Sequence, residues 1–386
     1  MIDLPEPDAD ARAHSARVAD AIRAAIAGGG GYVSFARYMD LALYAPGLGY
    51  YASGARKLGA AGDFVTAPEM TPLFATALAT QIAAILAESD SREIVELGGG
   101  SGQLAADLLK ALDARDALPS RYAILEVSPD LAERQRATLA RDAAAHLDRV
   151  VWIGALPGTI DGALIANEVL DAVPAHLIAR RAGEYVERGA TWDDARQKFA
   201  WTEHPADARL AALAAARFPQ FGDYLSEINP TAEALVEDIG RRLVTGAALF
   251  IDYGFPAAEY YHPQRSEGTL MCHYRHRAHG DPFVWPGLTD ITAHVDFTAM
   301  AEAGERAALH VAGFTAQAPF LLGCGILDAL AATGAPESVA YIRAAASVQK
   351  LLAPSEMGEL IKVLALAKSE AITWPGFTLA DRRHRL

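Results

Sequence analysis

The chain has 386 residues, 52% of them hydrophobic and 21% charged, which is enough apolar material for a sizeable core and excludes disorder as the main state. With 34 Lys+Arg against 48 Asp+Glu the net charge is −14, and with no long basic run this disfavours nucleic acid as the main partner. The two cysteines, Cys272 and Cys324, are far apart and form no CxxC, which disfavours a disulfide scaffold and a cysteine zinc site.

Met1–Asp10 is acidic and contains proline, without the marks of a signal or transit peptide, and predicts a cytoplasmic protein. Residues 11–27 read as an Ala-rich helix with Val18, Ile22 and Ile26 at four-residue spacing, stopped by Gly28–Gly31. Ser34 reads as the N-cap of a helix over Phe35–Tyr44. An aromatic, Gly-rich loop over 45–66 follows, then a helix over Thr71–Glu88. Its core, Leu73–Leu86, is apolar but too short and interrupted for a membrane span. From Arg92 the pattern alternates. Strands are predicted at Ile94–Leu97, Tyr122–Val127, Val150–Ile153, Gly162–Ala166 and Ala247–Asp252, with helices over Gln103–Leu112 and Pro129–Ala140. This predicts an α/β protein with an open, Rossmann-like parallel sheet covered by helices on both faces. Leu177–Trp201 reads as hairpin structure, 206–217 and 230–243 as helices, and 254–299 as a long polar and aromatic stretch. Helices near 324–333 and 336–352 and a strand at Ile361–Leu366 end the series. The division expected is a helical cap or lid over 1–90 and a sheet domain over 91–386, with insertions at about 175–245 and 254–300.

The most informative segment is Glu96-Leu97-Gly98-Gly99-Gly100-Ser101-Gly102 after the first sheet strand. Glycines there let the backbone pass close to a nucleotide-like ligand. A dinucleotide GxGxxG would need its third glycine at position 103, which is Gln103; the glycines fit GxGxG at Gly98, Gly100 and Gly102 instead. With the acid Glu96 two residues ahead, this is similar to motif I of S-adenosylmethionine-dependent methyltransferases, whose ligand carries a sulfonium cation and no pyrophosphate. Glu126 lies 24 residues past Gly102, where an acid accepts hydrogen bonds from ribose hydroxyls.

After the fourth strand, Asn167, Glu168 and Asp171 fall at the carboxyl edge of the sheet, where ligands bind. A first helical turn would put Glu168 and Asp171 on one face. There they could hold a guanidinium, a cation too basic to be a nucleophile unaided, and lead away its proton. First-turn acids at a helix N-terminus capped by Asn167 are the plainer alternative. His273, His276 and His279 lie among arginines and are not read as a metal site, so no metal is expected. His294 and Asp296 are read as a structural pair. No hydrolase elbow or P-loop lysine occurs.

In chain order, Ser34–Met39, Leu43-Tyr44, Gly49-Tyr50-Tyr51, Gly62–Glu69, the glycine loop, Asn167–Pro174, Ile251–Gly254, Gly268–Leu270 and Asp290–Phe297 together resemble the MidA family of S-adenosylmethionine-dependent methyltransferases, over about 34–366. The resemblance implies a methyltransferase sheet, S-adenosyl-L-methionine as cofactor, and an N-terminal segment over the cofactor cleft, with Asp63 and Glu69 near the cofactor. It also implies symmetric arginine dimethylation of a protein substrate, a core subunit of respiratory complex I. The composition, with 28 Arg and 6 Lys, suggests a bacterial relative. A Rossmann oxidoreductase and a non-enzymatic assembly chaperone are the competing readings; Gln103 and Glu96 count against the first. No membrane insertion is expected, and the oligomeric state is left open.

Overall fold

The computed structural model describes residues 4–53, 66–220 and 222–386. The chain divides into two units, each assembled from separate stretches. One consists of Val65–Leu170, Ala234–Pro256 and Val295–Leu386. Its main strands are β1 (Glu93–Leu97), β2 (Arg121–Leu125), β3 (Val150–Ile153), β4 (Ile160–Asn167), β5 (Leu243–Phe255), β6 (His310–Ala316) and β7 (Ile361–Ala367), and the two-residue strand Val295–Asp296 pairs with the end of β5. They lie in the order β3-β2-β1-β4-β5-β7-β6. The first five are mutually parallel, whereas β7 runs antiparallel to both β5 and β6. The sheet is therefore mixed, a correction to the parallel sheet expected. The apolar run that predicts β7 carries no information on its direction, and β6, with Gly313 and a register shift near it, was not predicted at all.

The strands read as near-continuous apolar runs because both faces are covered. Ile94, Ile165, Leu249, Ile251 and Val363 are buried among Leu78, Ile82, Leu104 and Leu108 of the flanking helices Leu73–Leu86 and Gln103–Asp113. Leu73–Leu86 is buried almost all round, and its polar Gln81 is satisfied by Thr373 O and Gly376 N–H. No described helix is long and apolar enough to cross a membrane.

The second unit consists of Met1–Phe64, Asp171–Glu233 and Ala257–His294. It holds the helices Ala9–Gly28 and Phe35–Tyr44, the latter capped by Ser34 as predicted, with the hydroxyl accepting from Arg37 N–H at 3.2 Å. Both pack on a five-stranded antiparallel sheet in which Glu184–Asp193 lies between Lys198–Pro205 on one side and Val33–Ser34 and His176–Arg181 on the other. Phe35 and Tyr38 are buried within this unit; the Tyr38 hydroxyl donates to Pro282 O at 2.7 Å. The histidine-rich stretch is a β-hairpin, Met271–Tyr274 with Arg277–His279, turned by Arg275 and His276 at φ 47° and 61°. Asp296, in the unit that holds β1–β7, caps the helix Phe297–Arg306, accepting from Ala299 N–H.

Candidate active site

Parallel strands deliver their following loops to one edge, so the loops after β1, β2 and β4 share the carboxyl edge of the sheet. The loop after β1 holds itself in place: Gly98 N–H donates to Leu125 O at 3.1 Å and Gly102 N–H to Gly99 O at 2.7 Å. Gly98, Gly100 and Gly102 all have positive φ, 62°, 52° and 84°. Gly102 begins the helix Gln103–Asp113, and a Cβ there would stand 2.9 Å from Gln135 Cα. The glycine at 102 is thus required by backbone conformation and by the neighbouring helix Pro129–Asp142, in addition to any ligand.

Gln135 is the residue that the sequence did not reveal. It is fully buried and uses both ends of its amide. Its Nε2 donates to Gly100 O at 3.1 Å and to Glu126 Oε2 at 2.8 Å, while its Oε1 accepts from Trp152 Nε1 at 2.9 Å. One side chain thereby ties the glycine loop, the acid after β2 and an aromatic ring on β3 together. A polar residue on an otherwise ordinary helix offers no sequence signal for this. Glu126 is the first residue past β2; its other oxygen accepts from Ser128 N–H at 2.9 Å. Burial raises its pKa, opposed by these hydrogen bonds.

Glu96 sits on β1 at 2% exposure and accepts from the Tyr122 hydroxyl at 2.9 Å. Desolvation pushes its pKa up to about 7, with nearby Glu126 adding to the rise and the Tyr122 bond opposing it. Glu69, on the short helix Ala67–Met70, accepts from the Ser101 hydroxyl inside the glycine loop. Asp63 lies outside the described residues.

The loop after β4 departs from expectation. No helix follows; residues 168–174 form turns before the strand His176–Arg181. Glu168 takes φ 51°, a left-handed conformation that leaves the helical path, so neither the capping role of Asn167 nor a shared helical face for Glu168 and Asp171 holds. Asn167 Nδ2 donates to Glu168 Oε1 at 3.3 Å, and its own Oδ1 is a buried acceptor with no hydrogen-bond partner. Val169 Cγ2 would lie 3.2 Å from a Cβ on Gly98, so this loop packs on the glycine loop. Asp171 begins the other unit, where it is buried at 8% exposure and its backbone carbonyl accepts from Ala293 N–H. The structure thus brings Glu69, Glu96, Gly98, Gly100, Gly102, Glu126, Asn167 and Glu168 to one unit.

These residues fit S-adenosyl-L-methionine. Glu126 uses only part of a carboxylate's roughly four acceptor positions on Ser128 and Gln135, which leaves capacity for ribose hydroxyls. The orphaned Asn167 Oδ1 is a second acceptor at the same edge.

The family model described as "Putative S-adenosyl-L-methionine-dependent methyltransferase" matches residues 75–315. A crystal structure from Burkholderia thailandensis bound to S-adenosyl-homocysteine is 48% identical over the whole of both chains, with a TM-score of 0.95. The protein arginine methyltransferase NDUFAF7 homolog, mitochondrial, of Drosophila melanogaster is 30% identical over 400 residues, covering 94% of this chain and 87% of its own. The protein arginine methyltransferase NDUFAF7, mitochondrial, of Danio rerio is 28% identical over 366 residues, covering 85% of this chain and 82% of its own. The glycine loop, the acid after β2 and these likenesses agree: the chain belongs to the S-adenosyl-L-methionine-dependent methyltransferase family, and S-adenosyl-L-methionine is its cofactor.

Proposed function

We propose that the chain is a protein-arginine N-methyltransferase whose acceptor is a core subunit of respiratory complex I, left as symmetric dimethylarginine. The observation that carries this reading is the β4 loop, where Asn167 and Glu168 stand beside the glycine loop with an acceptor oxygen still unsatisfied. The names of the curated relatives support the choice of arginine. S-adenosyl-L-methionine supplies an electrophilic methyl group on a sulfonium centre. The chain's own residues supply the rest. Glu126 accepts hydrogen bonds from the ribose, Glu69 holds the glycine loop through Ser101, and Glu96, on the strand before that loop, is fixed by the Tyr122 hydroxyl. Glu168 pairs with the guanidinium, localises its charge and accepts the proton released on transfer. Asn167 orients that carboxylate through its amide. Asp171, buried at 8% exposure, is a further candidate for holding the acceptor.

Glu168→Gln keeps shape and removes charge. It should leave S-adenosyl-homocysteine affinity within a few fold and lower methyl transfer to complex I subunits by roughly 10²-fold, the scale of a lost general base. Mass spectrometry of those subunits from cells with and without the protein identifies the product. Transfer by Glu168→Gln at the wild-type rate would reduce the carboxylate to a turn residue.

A further inference from the structure

We propose that Asp252, on β5, is a positioning residue that holds Glu168 in its working conformation. The chain leaves β4 through a left-handed Glu168, whose N–H still pairs with Ile251 O of β5 at 2.8 Å. The next two amides have no strand to pair with. Val169 N–H at 3.1 Å and Leu170 N–H at 2.8 Å converge on one oxygen, Asp252 Oδ2. The other oxygen, Oδ1, accepts from Tyr253 N–H at 2.8 Å. Asp252 is 1% exposed, and these three amides give both of its carboxylate oxygens hydrogen-bond partners away from water. The carboxylate takes the place of the next rung of the β4–β5 ladder and ends it. Left-handed backbone at a residue with a side chain is strained and persists only where its surroundings impose it. The two anchored amides immediately after Glu168 impose it here. An asparagine at 252 would set an amide donor or a weaker acceptor against those N–H groups.

This inference rests on reading Glu168 as the group that holds the acceptor, and the test separates the two. Tritiated S-adenosyl-L-methionine is the methyl donor, and complex I subunits from a strain lacking this protein are the acceptor. Turnover is counted per S-adenosyl-homocysteine-binding site, so that misfolded protein does not enter the rate. Asp252→Asn should speed amide exchange at 168–170 well beyond that of β1 and lower turnover by roughly 10–10²-fold, the scale of a small misplacement at a reacting centre. Asp252→Ser, which keeps a small acceptor, replaces it if Asp252→Asn binds no S-adenosyl-homocysteine. In the double variant with Glu168→Gln, turnover should fall no further than in Glu168→Gln alone, because Asp252 acts through Glu168. Wild-type turnover by the Asp252 variant, or full additivity of the two losses, overturns the positioning role. A fast Glu168→Gln enzyme instead overturns the acceptor role of Glu168.

Discussion

Gln135 tests most directly whether the loops at the carboxyl edge are pre-organised for the cofactor. Gln135→Met keeps the length of the side chain and removes its polar atoms. The bond to the Glu126 carboxylate, at 2.8 Å, is charge-assisted and worth about 1.5–3 kcal/mol; the one to Gly100 O, at 3.1 Å, about 1 kcal/mol. The Trp152 N–H, which donates to Gln135 Oε1 at 2.9 Å, would lose its acceptor at a cost of about 1–3 kcal/mol if water cannot reach it. These losses are coupled and partly relieved by relaxation, so the expected net destabilisation is about 2–4 kcal/mol. The effect on the cofactor is separate. Glu126 would lose its side-chain partner and keep only backbone ones, Ser128 N–H and Val127 N–H, and the Gly100 turn would lose its tie to the helix. Isothermal titration with S-adenosyl-homocysteine should show a Kd raised about 10–10²-fold, equivalent to about 1.4–2.8 kcal/mol. A Kd within twofold of wild type, with the melting temperature unchanged, would refute the view that this amide organises the site.

Glu96 predicts a pH dependence. Its folded pKa, about 7, is above the ordinary carboxyl value of 4.5, so the folded state binds the proton more tightly than the unfolded chain. Stability is therefore lost as pH rises from about 4.5 to about 7, by an amount on the order of 3 kcal/mol, and the loss is complete above that window. Glu96→Gln should melt higher than wild type at pH 8, the gap closing toward pH 5 in thermal scans; a gap independent of pH would contradict the burial argument. Gly102→Ala combines φ 84° with a Cβ 2.9 Å from the Gln135 backbone. It should cost about 1–3 kcal/mol in denaturant unfolding even without ligand, and a neutral result would mean that the loop yields there.

Much of this protein is written locally. Ser34 caps its helix as read, Val150–Ile153 occupies its predicted span, and Gly98, Gly100 and Gly102 turn the chain from β1 into a helix, because hydroxyl caps, apolar runs and positive φ are properties of neighbours along the sequence. The cofactor class is legible for the same reason: the glycine loop and the acid beyond it lie within one strand–helix–strand unit. What the tertiary structure decided involves partners far apart. The direction of β7 depends on β5 and β6, more than forty residues away on the nearer side. Gln135 matters only because Gly100, Glu126 and Trp152 surround it. The helix expected after β4 fails because Asp252, 82 residues beyond Leu170, draws in the amides that a helix would have left to itself. The division into two units, each gathered from three stretches, likewise follows from long-range burial, for which a single sequence carries no local signal.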